Sequence, residues 1–459
     1  MRDKKDKENE PIYTAGFYDA DRIVVFEQVL GQQYAISASA YPDAKEPQID
    51  VDYSQGDKKI LPYTYELPWP LVEKPLPYLN KNALYEQIRT FIKNYFYTPD
   101  ERVYDVQAAW VMATYIHEKI DMAPILFFYG AKSTGKTRGL EVLSRICYRG
   151  LLTPNTSPAA LFRCVADWKV TLFLDETEIL AGKQSDSKSE IIGLLNSGYK
   201  RGQMAIRAEP TDEGFLPKAY NVFRLKAVAG TQGLKDTLES RCIFIKTSKN
   251  PPGSISFRIN EREAEVLRAQ LLQYRFNQLT CDACDGRDGF DGNTGEVAEP
   301  SQPLLKGVTD GRLQELAEPL LMVANDGSEA ITEFMKDFDK ERNQETLSSL
   351  DTEVLEAVVN ISVDRYLPTD STKQKFMFLT ADIENAVNAD KPQQDKIERQ
   401  VIGRIIRKFG FCKWHIRQAN GFLRDDDKVR RLCDAYSLDL PSHLSQPSQP
   451  SQEGLKDHE

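Results

Sequence analysis

The sequence predicts an α/β fold with a three-layer core, and three observations carry that prediction. Strand-like and helix-like runs alternate across residues 121–250, the pattern of a sheet covered on both faces. The segment "GAKSTGKT" (130–137) lies between the apolar run "ILFFY" and the helix-like "TRGLEVLSRICY". A second apolar run, "KVTLFL", ends in the paired carboxylates Asp175 and Glu176.

The elements follow in order. Residues 1–10 are charged and read as a disordered tail. Residues 11–82 alternate β-branched and aromatic residues with turn signals, as in "DRIVVFEQVLGQQYAISASAY", which predicts a small β-rich domain ending in the proline-rich connector "PWPLVEKPLPYL". Residues 83–120 carry two helix-like patterns, "NALYEQIRTFIKNYFY" and "DVQAAWVMATYIHEKI". Within 121–250 the predicted strands are 125–129, 169–174, 223–229 and 242–246. Residues 251–346 read as a helical lid interrupted by the Gly/Asp-rich "CDACDGRDGFDGNTGEVAEPSQP". Residues 347–436 form a last compact unit, and 437–459, with "SQPSQPSQEG", a disordered tail.

"GAKSTGKT" fits GxxxxGK[ST] throughout. Gly130, Ala131, Lys132, Ser133, Thr134 and Gly135 would turn backbone N–H groups toward phosphate oxygens. Lys136 would meet the β/γ-phosphates of ATP, Thr137 would hold Mg2+ through its hydroxyl, and Arg138 opens the following helix, whose positive end faces the same anion. Between Lys136 and Asp175 lie 38 residues. At a strand tip at that distance, Asp175 suits the metal's coordination shell, and Glu176 suits polarising a water for attack on the γ-phosphate. A small-molecule kinase needs no such glutamate; a motor or remodelling ATPase does.

At these residues the sequence resembles the AAA-plus ATPases, and the remaining roles are what that resemblance implies. Thr231, with Gln232 beside it, stands where the family places a polar sensor of the γ-phosphate. Ser240-Arg241-Cys242 is similar to the SRC motif of clamp-loader ATPases, so Arg241 would reach into a neighbour's site and the protein would act as a homo-oligomer, a ring in this family. Arg312 stands where the lid carries a second, nucleotide-binding sensor arginine. The stretch "GYKRGQMAIRAEPTDEGFLPKAYNVF" resembles a hairpin of viral-initiator and MCM-like helicases, with Tyr199, Lys200, Arg201, Arg207 and Lys218 as candidates for a nucleic-acid backbone. Residues 85–436 resemble an ATPase family of phages, plasmids and genomic islands often linked to primases; Thr231-Gln232 departs from its apolar pattern. The resemblance implies a helicase- or translocase-like replication protein of a mobile element, with a primase or another replication protein as partner. The alternative is a regulatory or remodelling ATPase that acts on a protein without translocation.

The last unit reads as helix, helix, strand–turn–strand and helix, the layout of a winged helix. Thr380 is the expected N-cap of its first helix and Asn420-Gly421 the expected wing turn. Val401, Ile402, Ile405, Ile406 and Phe409 make an apolar helix face, leaving Arg404, Arg407 and Lys408 for DNA.

Bulk composition sets limits on these readings. Net charge is −10, which argues against indiscriminate polyanion binding. From Lys396 to Arg431, however, eleven Lys/Arg face four Asp/Glu. The seven cysteines are irregularly spaced and do not read as a disulfide framework. Cys281 and Cys284 form a lone CxxC that binds metal only if other ligands join it. No apolar stretch suffices for a membrane helix and the start lacks a signal-peptide core, so a cytoplasmic protein without membrane contact is expected.

Overall fold

The computed structural model describes residues 11–21, 24–30, 33–38, 48–49, 54–55, 58–153, 156–175, 186–211, 214–231, 234, 236–280, 305, 307–308, 310–324, 326–346, 349–361, 366–367, 375–389, 391–392, 396–416, 419–436 and 438. They fall into two units, Met1–Met335 and Lys336–Glu459. Glu176, Gln232, Cys281 and Cys284 lie outside the described residues.

After the short strand Ile12–Tyr13, which pairs in parallel with Lys58–Leu61, the first unit has β1 (Gly16–Asp19), β2 (Val24–Val29) and β3 (Gln33–Ala38), paired antiparallel. Helix α1 (Lys81–Tyr95) starts at Asn80, whose side chain accepts from the Ala83 N–H and satisfies one orphan donor. Helix α2 (Arg102–Tyr115) is buried on every side from Val103 onward, the polar Asp105, Gln107 and Thr114 included. The core then alternates: β4 (Ile125–Tyr129), α3 (Lys136–Ile146), β5 (Gly150–Thr153), α4 (Pro158–Asp167), β6 (Thr171–Leu174) and α5 (Asp186–Ser197). A hairpin follows, β7 (Ala205–Thr211) and β8 (Gly214–Tyr220), then β9 (Lys226–Gly230) and β10 (Cys242–Lys246). Helices α6 (Glu261–Thr280) and α7 (Gly311–Val323) come after the sheet.

Five strands form one sheet in the order β10-β4-β9-β6-β5, every pairing parallel. Period-two alternation sorts its side chains. Ile125, Phe127, Leu172 and Val228 share a core with Leu161 and Phe162 of α4 and Leu194 of α5. On the other face the Phe173 ring meets Trp110 of α2, and Phe128 lies against Gly139 of α3, where a Cβ would come within 2.3 Å of its ring. That gives the predicted mixed α/β arrangement. The edge strand β5, "GLLT", is an addition to it: four half-buried residues give no alternation to read.

A buried ionic network joins the N-terminal strands to this core. Arg275 of α6, fully buried, donates to Glu27 of β2 at 2.7 Å and grips Glu118 with two bonds of 2.6 and 2.7 Å. Arg149 holds the other Glu27 oxygen at 2.7 Å, and the Tyr148 hydroxyl donates to Glu27 at 2.7 Å. Burial alone would raise the Glu118 carboxyl, but Arg275 and His117 outweigh it and hold it well below the usual carboxylate range. Val25 and Val29 of β2 also share apolar packing with Leu272 and Phe276.

The second unit runs α8 (Ser349–Asn360), β11 (Lys375–Leu379), α9 (Thr380–Val387), α10 (Arg399–Lys408), β12 (Lys413–Ile416), β13 (Ala419–Leu423) and α11 (Asp426–Tyr436). β13 pairs antiparallel with both β11 and β12. The predicted apolar face of α10 is real: Ile402, Ile405 and Ile406 are buried with Val354, Phe378 and Phe422. Two local expectations fail here. "FMFL" is strand, so α9 begins at Thr380 itself, which is buried, and Leu379 is the N-cap. Asn420 and Gly421 lie inside β13, paired with His415 and Trp414, and form no turn. Gly421 is required by close approach, because a Cβ there would stand 2.5 Å from the Phe378 carbonyl oxygen.

Candidate functional site: a phosphate loop and a remote arginine pair

Strand register places the predicted residues at two ends of one sheet. Gly230 pairs with Tyr129, so Thr231 leaves β9 beside the point where the loop at Gly130 leaves β4. Leu174 pairs with Val228, so Asp175 leaves β6 at the same end, two strands from β4. At about 4.8 Å per strand, roughly 10 Å separates their exits laterally. The phosphate loop, Asp175 and Thr231 therefore share the C-terminal edge.

The loop is built for close contact. Ser133 and Gly135 adopt left-handed backbone, at φ 60° and 91°. Gly135 N-caps α3 and brings no side-chain acceptor to the helix start, the end of a helix that suits an anion. The Lys136 ammonium donates to the loop's own Gly130 carbonyl at 2.9 Å. Thr247, just beyond β10, bonds Thr134 hydroxyl to hydroxyl at 2.6 Å. A Cβ on Gly130 would stand 2.4 Å from the Thr247 hydroxyl oxygen. Thr247 belongs to this site although no motif marks it; its only sequence signal is its place one residue past the strand "CIFIK". The exposed Thr137 hydroxyl and the Asp175 carboxylate are hard oxygen donors of the type Mg2+ takes. These features fit a magnesium-bound nucleoside triphosphate. Arg138 serves otherwise: it donates to the Tyr95 carbonyl at 3.0 Å and to the Ser256 carbonyl at 2.8 Å, fixing α3 to its surroundings.

The crowding predicts an outcome for Gly130→Ala. The methyl must displace Thr247 or the loop, so affinity for a fluorescent ATP analogue should fall about tenfold or more, with a cost of about 1–3 kcal/mol in stability. Unchanged affinity would show that the loop and Thr247 do not form one rigid surface.

Arg241 and Arg312 stand at the opposite edge. The Arg241 carbonyl accepts from the Ile125 N–H, at the start of β4. Five residues of strand, roughly 16 Å, lie between Arg241 and the loop end of the sheet. Its guanidinium stacks on Tyr199, 4.4 Å from the ring centroid, and bonds the Thr237 carbonyl. Arg312 lies over the same ring at 5.7 Å and donates to the Ser240 hydroxyl at 3.0 Å. Arg312 thus stands with Arg241, away from the 130–137 loop of its own chain.

Tyr199, expected on a DNA-facing hairpin, is 7% exposed and is the platform for this pair. Arg201 is engaged by the His117 carbonyl at 2.7 Å and the Asp121 carboxylate at 3.0 Å. Arg207 turns inward, its guanidinium 4.1 Å from the Phe162 ring centroid of α4. Lys200 and Lys218 are exposed. In the second unit Arg404 and Arg407 are exposed on α10 and line an open cleft of about 490 Å³ with Arg399 and Lys413. Lys408 is paired with Asp351 at 2.8 Å. Among the described residues no cluster of His, Cys, Asp and Glu suits a metal by itself, and no helix is long and apolar enough to cross a membrane.

No protein-family model and no curated protein matches the chain. Among solved structures it is similar to the active helicase Cch of SCCmec type IV, at 12% identity and a TM-score of 0.39, over 94% of this chain and 80% of that one. It is also similar to the C-terminal region of NrS-1, at 12% identity and a TM-score of 0.34, over 89% and 96%. A third likeness is to Drosophila ORC bound to DNA, at 9% identity and a TM-score of 0.20, over 78% and 94%. Likenesses this distant leave function to be argued from the residues.

Proposed function

We propose that the chain is an ATP-hydrolysing protein of the AAA-plus type, assembled from several copies and acting on DNA. One observation carries the reading: the residues suited to a triphosphate and the arginines suited to transition-state charge lie at opposite edges of one sheet. A complete site then needs two copies, one giving the loop, Asp175 and Thr231, the other Arg241 and Arg312. Bound Mg2+-ATP supplies the phosphoanhydride and its counter-charge. Loop N–H groups and Lys136 would hold the phosphates, Thr137 and Asp175 would hold Mg2+, and Thr231 would serve as the polar sensor of the terminal phosphate. Glu176, next to Asp175 in sequence, would take a proton from the water whose oxygen bonds the γ-phosphorus as the bond to the bridging oxygen breaks and ADP leaves. Arg241 of the adjoining copy would stabilise negative charge at the phosphoryl oxygens.

DNA enters through the second unit. Its helix–strand–helix–helix–strand–strand order supports a winged helix with α10 as the groove-facing helix, and Arg404 and Arg407 are its exposed cations. Translocation in the replication of a mobile element is the finest form of this reading.

The test is ATP turnover measured across protein concentrations, with and without single-stranded and duplex DNA. Turnover per chain should rise with concentration and with DNA. Glu176→Gln should retain ATP binding and lose hydrolysis by about 10²-fold or more. Turnover independent of concentration, or a fully active Glu176→Gln, would defeat the proposal.

A further inference from the structure

The hairpin β7–β8 has two unlike faces. Cross-strand partners share a face, so Arg207 pairs with Lys218, Glu209 with Leu216 and Ala205 with Tyr220 on one side. That side turns to α4, through Arg207 on Phe162 and the Glu209 carboxylate against Arg163 at 2.9 Å. The other side pairs Ile206 with Ala219, Ala208 with Pro217 and Pro210 with Phe215. All six are exposed, Ile206 at 64% and Phe215 at 74%, and none can carry charge.

Such a strip in contact with water is costly and marks an interaction surface. Its chemistry narrows the occupant. A polynucleotide backbone needs cations, and the hairpin's Arg207 and Lys218 are on the reverse face. Another strand added at the edge would meet Pro210 and Pro217, which lack N–H donors. An apolar protein surface covering the face remains.

Position selects which protein. The segment that leads into the hairpin, Tyr199–Gln203, is pinned to the N-terminal edge of the sheet: the Ala123 N–H donates to the Tyr199 carbonyl at 2.7 Å and the Arg201 N–H to the Asp121 carbonyl at 2.9 Å. Tyr199 is also the ring on which Arg241 and Arg312 stack. The half-exposed Met204 continues the apolar strip toward it. The edge that must face a second copy for those arginines to find a phosphate loop is the edge from which the strip springs. We infer that the Ile206–Phe215 face of the hairpin docks on a second copy of this chain, as the apolar part of the seam that Arg241 completes. The inference rests on the two-copy reading of the ATP site.

The test separates assembly from catalysis. Sedimentation of the full-length chain is followed over a concentration range, with and without Mg2+-ATP, for wild type, Ile206→Glu/Phe215→Glu and Arg241→Ala. The double variant should bind the fluorescent ATP analogue and melt as wild type does, because both side chains are exposed, while self-association weakens about tenfold or more. Arg241→Ala should associate normally and fail only in turnover. Strip-dependent assembly with no ATP turnover in wild type would sink the ATPase reading and leave the docking face standing. Wild-type sedimentation as a monomer throughout, or undiminished association of the double variant, would overturn the docking face. So would intact association with lost retention of a fluorescent single-stranded oligonucleotide, which would assign the strip to nucleic acid.

Discussion

Arg241→Ala should bind ATP with wild-type affinity and hydrolyse it about 10³-fold more slowly. The reason is positional. Arg241 lies at the start of β10, where its carbonyl accepts from Ile125, and the loop of the same chain begins after Tyr129 at the far end of β4. Lys136→Ala should be equally inactive through loss of ATP binding. A mixture of the two variants tests the geometry directly. Where a chain with intact Lys136 sits beside one with intact Arg241, a complete site forms, as at about a quarter of the seams in a random closed ring. Partial recovery in the mixture, measured as phosphate release, is the expected result. No recovery at any ratio would show that both residues serve one chain.

Arg275→Met should have the largest effect on folding. Arg275 is fully buried and bonds Glu27, both oxygens of Glu118 and the Tyr115 carbonyl. Removing it leaves two carboxylates short of counter-charge, and breaking a buried pair from one side costs about 3–5 kcal/mol. The urea midpoint should drop accordingly, monitored by tryptophan fluorescence, since Trp69 and Trp110 are buried in this unit. A midpoint within error of wild type would mean that water replaces the guanidinium and the network does not join the N-terminal strands to the core.

Legibility in the sequence followed the range of the interactions. The loop at 130–137 and the strands 125–129 and 242–246 could be read because glycine placement and unbroken apolar runs are local signals. The apolar face of α10 was equally local, with Ile402, Ile405 and Ile406 at helical spacing. The hairpin at 205–220 was visible as two runs around a turn, but which way Arg207 faced was not, since that depends on Phe162 of α4. Thr247 escaped notice, and Tyr199 was read as a DNA contact, because their roles come from neighbours more than 40 residues away, Thr134 and Arg241. The ionic cluster was illegible for the same reason: Glu27, Glu118, Arg149 and Arg275 are brought together from four separate segments.

Strand β10 has one property that links the two edges. At its outgoing tip Thr247 touches the phosphate loop through Thr134, and at its incoming tip stands Arg241. A rod of five residues, hydrogen-bonded along its length to β4, has no hinge between those tips. On the proposed reading, a shift of the loop as a triphosphate arrives or departs would be passed by Thr247 along this strand to the end that holds Arg241.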